Sequence, residues 1–85
     1  MTIYAMIITY NFDGDSVTKG FGTRKEAIRC MNDFLNEEVE VNMRENGYKP
    51  LVQKWNEDDV TLVYAEEDAP DTDKAYYRVH EINIA

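Results

Sequence analysis

The chain has 85 residues, one cysteine and a formal net charge of −8, and 44% of its residues are hydrophobic. This length predicts one domain, residues 1–85, and the apolar content excludes the disordered class. A single cysteine excludes an intrachain disulfide and indicates a reduced, intracellular setting. The apolar opening is too short for a membrane helix and lacks the basic leader of a signal peptide, so we expect a cytoplasmic protein.

The negative charge is confined to the second part of the chain. Residues 1–36 hold equal numbers of acidic and basic side chains, whereas residues 37–85 carry the whole −8. Nucleic acids and anionic membranes are bound through positive patches that release counterions, so we expect neither as a direct partner. An acidic surface is more typical of a soluble protein or of one steered towards a basic partner.

Two strands are predicted first. Residues 2–10 (TIYAMIITY) are rich in β-branched and aromatic residues and apolar at every alternation, which predicts a central strand covered on both faces. An Asp-Gly turn then leads to residues 17–21, whose lysine and glycine are typical of an edge strand. The short turn predicts that these two strands pair as a hairpin.

The clearest helix start in the sequence follows at Thr23, which forms a capping box with Glu26. Apolar residues then recur at helical spacing and make one stripe. Its members are Ala27, Ile28, Met31, Phe34, Leu35 and Val39. Lys19, Arg24 and Lys25 surround this start and oppose the helix dipole, a cost that a bound anion or a neighbouring acidic loop would offset.

The end of this helix is open between two alternatives. Glu38 and Asn42 fall on the apolar face, and the stretch EVEVNM also alternates with period two. The helix therefore either continues to about Asn46 with Gly47 as its left-handed cap, or ends near residue 36 and is followed by an extra strand. The strong helix formers in residues 37–45 favour the long helix.

Three further strands are predicted at residues 50–55, 60–65 and 74–85, with a tight turn at 56–59. The order β-β-α-β-β-β predicts an α+β fold. In it, an antiparallel sheet of about five strands carries one long helix packed on one face.

No catalytic, cofactor or metal residues are predicted. The segment before the last strand holds five carboxylates but lacks the glycine and the spacing of a calcium loop, which predicts a solvated turn. These carboxylates are Glu66, Glu67, Asp68, Asp71 and Asp73. His80, the only histidine, has no triad partner nearby, and Cys30 borders the apolar stripe as a small hydrophobe. We therefore expect a non-enzymatic protein.

The aromatic residues suggest a binding surface. The chain holds six tyrosines, one tryptophan and three phenylalanines, and one helix can cover only one face of a sheet. We expect the opposite face to carry tyrosine and tryptophan, the residue types favoured at interface hot spots. The candidates are Tyr4, Tyr10, Trp55, Tyr64 and one of Tyr76 and Tyr77.

The predicted function is binding of a protein partner, of basic character, through this aromatic face and an acidic surface. Beside the acidic segment, that surface is expected to include Glu37, Glu40, Asp58 and Asp59. In size and charge the chain broadly resembles small acidic inhibitors of phages and mobile elements, including anti-CRISPR and antirestriction proteins, although no motif carries the resemblance. One alternative is therefore a nucleic-acid mimic that occupies the basic groove of an enzyme. Another is a structural homodimer.

Overall fold

The structure is a computed structural model that describes residues 1–65 and 73–84. Its elements follow the predicted order and confirm the α+β fold. They are β1 (Thr2–Tyr10), β2 (Ser16–Phe21), α1 (Arg24–Asn46), β3 (Leu51–Asn56), β4 (Asp59–Tyr64) and β5 (Asp73–Asn83). Within residues 1–65 and 73–84, no helix has both the length and the apolar character of a membrane span.

The five strands form one antiparallel sheet in the order β2-β1-β5-β4-β3. The two longest strands, β1 and β5, lie next to each other in the interior and pair from Thr2 with Asn83 to Tyr10 with Ala75. The sequence correctly predicts an interior position for β1 and an edge position for β2. The pairing of β1 with β5 joins the β1–β2 hairpin to strands β3, β4 and β5 in one sheet. The other edge strand is β3.

The long helix is confirmed, and the alternative with an extra strand after residue 36 is wrong. The hydroxyl of Thr23 accepts a hydrogen bond from the backbone N–H of Glu26 at 3.2 Å, as an N-cap does. At the other end Gly47 adopts φ 79°, and its N–H donates to the carbonyl of Met43 at 3.1 Å. A left-handed residue at this position costs glycine little, which explains the sharp helix end.

The helix packs over β1, β5 and β2 and covers one face of the sheet. On this covered face, alternate residues of β1 (Met6 and Ile8) meet Met31 and Leu35 of the helix in the core. Fully burying a side chain of this size contributes roughly 1.5–3 kcal/mol each. Other core residues are Ala27, Val60, Leu62, Ala75, Tyr77 and Val79.

The other face of the sheet, called here the uncovered face, carries the intervening residues. Strand alternation places Ile3, Ala5 and Ile7 of β1 there, beside the even-numbered residues of β5 and the odd-numbered residues of β4. No element among the described residues packs on this face. The first strand was predicted to be covered on both faces. Among the described residues, the helix covers one of them and no element covers the other.

Candidate functional site

The uncovered face presents large apolar side chains to solvent. Trp55 is 65% exposed, and Leu51 and Ile82 are 52% and 44% exposed. The indole N–H of Trp55 donates to the hydroxyl of Thr61 at 3.0 Å, which fixes the ring on this face. This is an aromatic side chain held in a defined orientation with most of its surface in water, as at protein-interaction hot spots.

Basic residues accompany this apolar surface. Lys74, Arg78 and His80 are among the even-numbered β5 residues, which lie on the uncovered face. Among the described strand residues, Asp59 is the one carboxylate on this face. The Nε of Arg78 lies 3.3 Å from Oδ1 of Asp59, and its guanidinium lies 5.2 Å from the ring centre of Tyr76. The uncovered face therefore combines exposed apolar groups with polar groups and a small excess of positive charge.

The predicted aromatic face is only partly correct. Trp55 and Tyr76 lie on the uncovered face, but Tyr4, Tyr10 and Tyr64 pack against the core on the covered side. The reason is strand alternation, because Tyr4 and Tyr10 share the parity of the core residues of β1. Tyr64 donates its hydroxyl hydrogen to the helix residue Glu38 at 3.0 Å.

Tyr77 is the buried member of its pair. Its side chain is 2% exposed and belongs to the core cluster. Its neighbour Tyr76 points the other way, as successive residues of a strand do. The open choice between these two tyrosines is therefore resolved in favour of Tyr76 for the uncovered face.

The predicted acidic surface is divided between several places. Glu37 and Glu40 are exposed on the helix, whereas Asp58 and Asp59 are engaged by ion pairs with Arg24 and Arg78. Asp73 begins β5 opposite Tyr64. The remaining predicted carboxylates fall outside the described residues, and they are Glu66, Glu67, Asp68 and Asp71.

The anion expected near the helix start belongs to the chain itself. Arg24 contacts Glu57 at 3.3 Å and Asp58 at 3.5 Å, both in the turn between β3 and β4. The hydrogen bond to Glu57 raises the pKa of the Arg24 guanidinium. Of the basic residues at the helix start, Arg24 is thus paired with an acidic turn, which is one of the two partners that the sequence predicts.

A cleft opens at the opposite end of the helix, between its last turns and the ends of β1, β4 and β5. Its volume is about 460 Å³. Its described lining combines aromatic rings, carboxylates and amides and contains no lysine, arginine or histidine. The lining residues are Tyr10, Phe12, Asp13, Glu38, Asn42, Asn46, Tyr48, Tyr64 and Asp73. We call this the acidic aromatic cleft.

Asparagine side chains fix the floor of this cleft. Asn42 is only 4% exposed, and its amide donates to the backbone carbonyl of Tyr48 at 2.8 Å. The amide of Asn46 in turn donates to the Oδ1 of Asn42 at 2.9 Å. These bonds satisfy a polar group on the apolar side of the helix and hold the chain after Gly47 against the last helical turns.

An aromatic cluster forms one wall of the cleft. Phe12 makes edge-to-face contacts with Tyr10 and with Tyr64, with centroid distances of 5.5 and 5.7 Å. Asn11 is bonded to Lys74 through its backbone N–H and its side-chain oxygen, which fixes the chain segment that presents Phe12. Such edge-to-face contacts are favourable beyond the burial of the rings.

Tyr10 and Tyr64 of the cleft and the neighbouring Tyr77 have raised pKa values and stay protonated at neutral pH. Burial raises the pKa of Tyr64 well above its usual range, and the neighbouring Tyr77 and Glu38 raise it further. Burial is also the main cause that raises the pKa of Tyr10 and of Tyr77, followed in both by the charge of Glu38. The phenols are therefore neutral hydrogen-bond donors here.

The structure places His80 on the exposed surface of the sheet. Cys30 is half-buried against the core cluster, in the small hydrophobic position expected for it. The two residues lie on different elements, on opposite sides of the sheet, so the described structure does not bring them together.

The cleft was not predicted from the sequence, although two of its residues left a signal. Glu38 and Asn42 interrupt the apolar stripe four residues apart, and Asn46 follows at the same interval. Polar side chains repeated on the buried side of a helix indicate a polar site at that side. Phe12 and Tyr48 lie in connections between elements, where spacing gives no such signal.

Comparison with protein-family models, with curated proteins and with solved structures finds no match to this chain. Two surfaces then remain as candidates for binding. The uncovered face is broad and apolar with a few basic groups, and the acidic aromatic cleft is small and concave and carries carboxylates.

Proposed function

We propose that this chain is a cytoplasmic, non-enzymatic interaction module that binds a protein partner through the uncovered face of its sheet. The observation that carries the proposal is the exposure of Trp55, which is 65% in solvent on a face that no described element covers. Exposed apolar surface costs free energy in water, and a contiguous patch of it marks an interaction site. Leu51 and Ile82 are further exposed apolar side chains on the same face, at other positions of β3 and β5.

The size of the face supports this proposal. Strands of six to eleven residues make up the sheet. With a rise of about 3.3 Å per residue and a strand spacing of about 4.8 Å, the face covers roughly 600 Å². Specific interfaces begin at about 600 Å² on each partner, so the whole face, used at once, is large enough for one.

The charges on the face favour a different protein over a second copy. Two copies facing each other would bring Lys74, Arg78 and His80 of one chain near the same residues of the other. Each copy also carries a net charge of −8, so their encounter is opposed by long-range repulsion. The partner that fits is a protein with an apolar surface and carboxylates placed to meet these basic groups.

The test is affinity capture by the immobilised chain, with variants that differ only in the face they alter. Trp55→Ala removes the main apolar group of the uncovered face. Val52→Ala truncates a side chain on the same edge strand that is 44% exposed but points to the other side, so it is a matched control. We expect a partner captured by the parent chain and by Val52→Ala to be lost with Trp55→Ala.

Two outcomes would contradict the proposal. Equal capture by Trp55→Ala and by the parent chain would show that the partner binds elsewhere. A dimer in light scattering that Trp55→Ala converts to a monomer would assign the face to a second copy instead. Steep weakening of capture with salt, together with insensitivity to Trp55→Ala, would favour a nucleic-acid mimic acting through its carboxylates.

A further inference from the structure

The acidic aromatic cleft has the composition of a cation-binding site and lies apart from the uncovered face. Three aromatic rings, of Tyr10, Phe12 and Tyr64, meet at its wall with centroids 5.5 and 5.7 Å apart. Carboxylates of Glu38, Asp13 and Asp73 stand around the same space. The cleft is thus lined by two kinds of group that both attract positive charge, and no cation is found among its described lining residues.

Glu38 is the carboxylate best placed to meet a ligand. Its Oε1 accepts a hydrogen bond from the hydroxyl of Tyr64 at 3.0 Å, which orients the carboxylate from inside the protein. A carboxylate offers about four acceptor positions, so one bond from Tyr64 leaves capacity for a ligand. Tyr64 cannot neutralise this charge, because a phenol donates a hydrogen bond and carries no positive charge.

The ring of Phe12 supplies the second contact. Phe12 is 50% exposed, although it stands between two tyrosines that pack against the core. A cation over an aromatic face is attracted by the ring quadrupole, and the attraction grows when the site is partly desolvated. A purely apolar ligand would gain from the rings but would leave the carboxylates without a partner.

We propose that the acidic aromatic cleft binds an organic cation of the guanidinium or alkylammonium class, held between the carboxylate of Glu38 and the ring of Phe12. Such a group is carried by arginine and lysine side chains and by small free amines. The volume of about 460 Å³ admits the group together with part of the chain that carries it. This ligand is independent of the partner of the uncovered face.

The probes are acetyl-arginine amide and acetyl-citrulline amide, which have nearly the same shape but differ in charge. Binding is followed by amide and side-chain chemical shifts in NMR titrations of the full chain. We expect the arginine probe to bind at least tenfold more tightly than the citrulline probe, with the largest shifts at Phe12, Asn46 and Tyr64. Equal binding of the two probes would overturn the proposal.

Methylguanidinium, which carries the charged group of arginine without a peptide, distinguishes the source of the cation. Tighter binding of the arginine probe than of methylguanidinium assigns the cleft to a side chain presented by a protein. The reverse order assigns it to a small free cation. Both orders are cation binding, whereas the absence of shifts around the cleft with either probe at concentrations of tens of millimolar would refute the site.

Two matched variants test the residues. Glu38→Gln removes the charge but keeps an oxygen that can accept from Tyr64, and Glu37→Gln makes the same change on an exposed neighbour outside the cleft. We expect Glu38→Gln to weaken the arginine probe about tenfold, because charge-assisted hydrogen bonds are stronger than neutral ones. Glu37→Gln should change the affinity for the arginine probe by less than twofold. Equal losses of affinity in both variants would mean that only long-range electrostatic attraction holds the probe.

Phe12→Leu is the second test, because it keeps an apolar side chain at an exposed position and removes the aromatic face. We expect the arginine probe to bind about threefold more weakly and the citrulline probe to change little. Retained spectral dispersion shows that the variant is folded. An unchanged preference for arginine in Phe12→Leu would exclude the ring as part of the site. Trp55→Ala should leave binding of the arginine probe unchanged, which separates this site from the proposed function.

Discussion

Both faces of the sheet carry large apolar residues, but these residues have different surroundings on the two faces. On the covered face, Met6, Ile8 and Leu62 belong to the core cluster and are almost fully buried. On the uncovered face, Leu51 and Trp55 are more than half exposed, although they are as apolar as the core residues. Apolar character alone therefore does not tell which face of a strand is buried, and the position of the single helix decides it.

Under the proposed function, the two faces divide stability and binding between them. Burial under the helix supplies most of the favourable free energy, because it removes the largest apolar area from water. The uncovered face keeps apolar area in solvent that a partner could remove. If this division is right, truncations on the covered face should affect folding, and truncations on the uncovered face should affect binding.

The largest difference is expected between Leu62→Ala and Ile82→Ala. Leu62 is fully buried on the covered face, and its truncation leaves a cavity that should cost about 2–5 kcal/mol. Ile82 is 44% exposed on the uncovered face, so its truncation should cost less than about 1 kcal/mol. Urea unfolding followed by circular dichroism measures both values, and equal losses would mean that the two faces are equally packed.

A second test uses the tyrosines of the covered side. A tyrosine in the unfolded chain ionises at about pH 10, whereas burial raises the pKa of Tyr10, Tyr64 and Tyr77 in the folded protein. The protonated phenols therefore contribute their full stabilisation below about pH 10. That contribution is lost as the pH rises towards the folded pKa, because the unfolded state gives up these protons first.

We therefore expect the free energy of unfolding to fall as the pH rises above about 10. The ionisation of Tyr10, Tyr64 and Tyr77 should occur above the usual range or together with unfolding, as followed by tyrosinate absorbance. Tyr64→Phe should make the loss of stability with pH less steep. Complete tyrosine ionisation at about pH 10 in a protein that still shows its native circular dichroism would contradict the burial of these rings.

A small effect on stability is also expected for Trp55→Ala. The ring is largely in solvent, and its hydrogen bond to Thr61 should contribute about 0.5–1.5 kcal/mol. The melting curve of Trp55→Ala should therefore lie close to that of the parent chain, which also makes it a usable variant in the capture experiment. A loss as large as that of Leu62→Ala would mean that Trp55 is part of the folding core.

Much of the fold was predictable because local signals agreed with each other. The capping pair at Thr23 and Glu26 gave the helix start, and the left-handed cap at Gly47 gave its end. Alternation within β1 places Ile3 and Tyr4 on opposite faces of the sheet. The pairing of β1 with β5 could not be read locally, because it joins residues more than sixty positions apart through a register that only the folded sheet defines.

The faces of the tyrosines were the main error, and the reason is physical. A tyrosine at the margin of a core can bury its ring and still reach a polar partner with its hydroxyl, as Tyr64 does with Glu38. Its presence in a strand is therefore compatible with either face. Parity with Met6 and Ile8 assigns Tyr4 and Tyr10 once those residues are known to be core. For β4, nothing in the sequence indicates which alternate residues face the core.

The fluorescence of Trp55 tests the role of the uncovered face most directly, because it is the only tryptophan in the chain. The free protein should show emission and acrylamide quenching typical of an exposed indole. Adding a protein partner obtained by capture should shift the emission to shorter wavelength and protect the ring from quenching. Unchanged emission and quenching at saturating partner would show that the uncovered face stays in solvent and would contradict the proposed function.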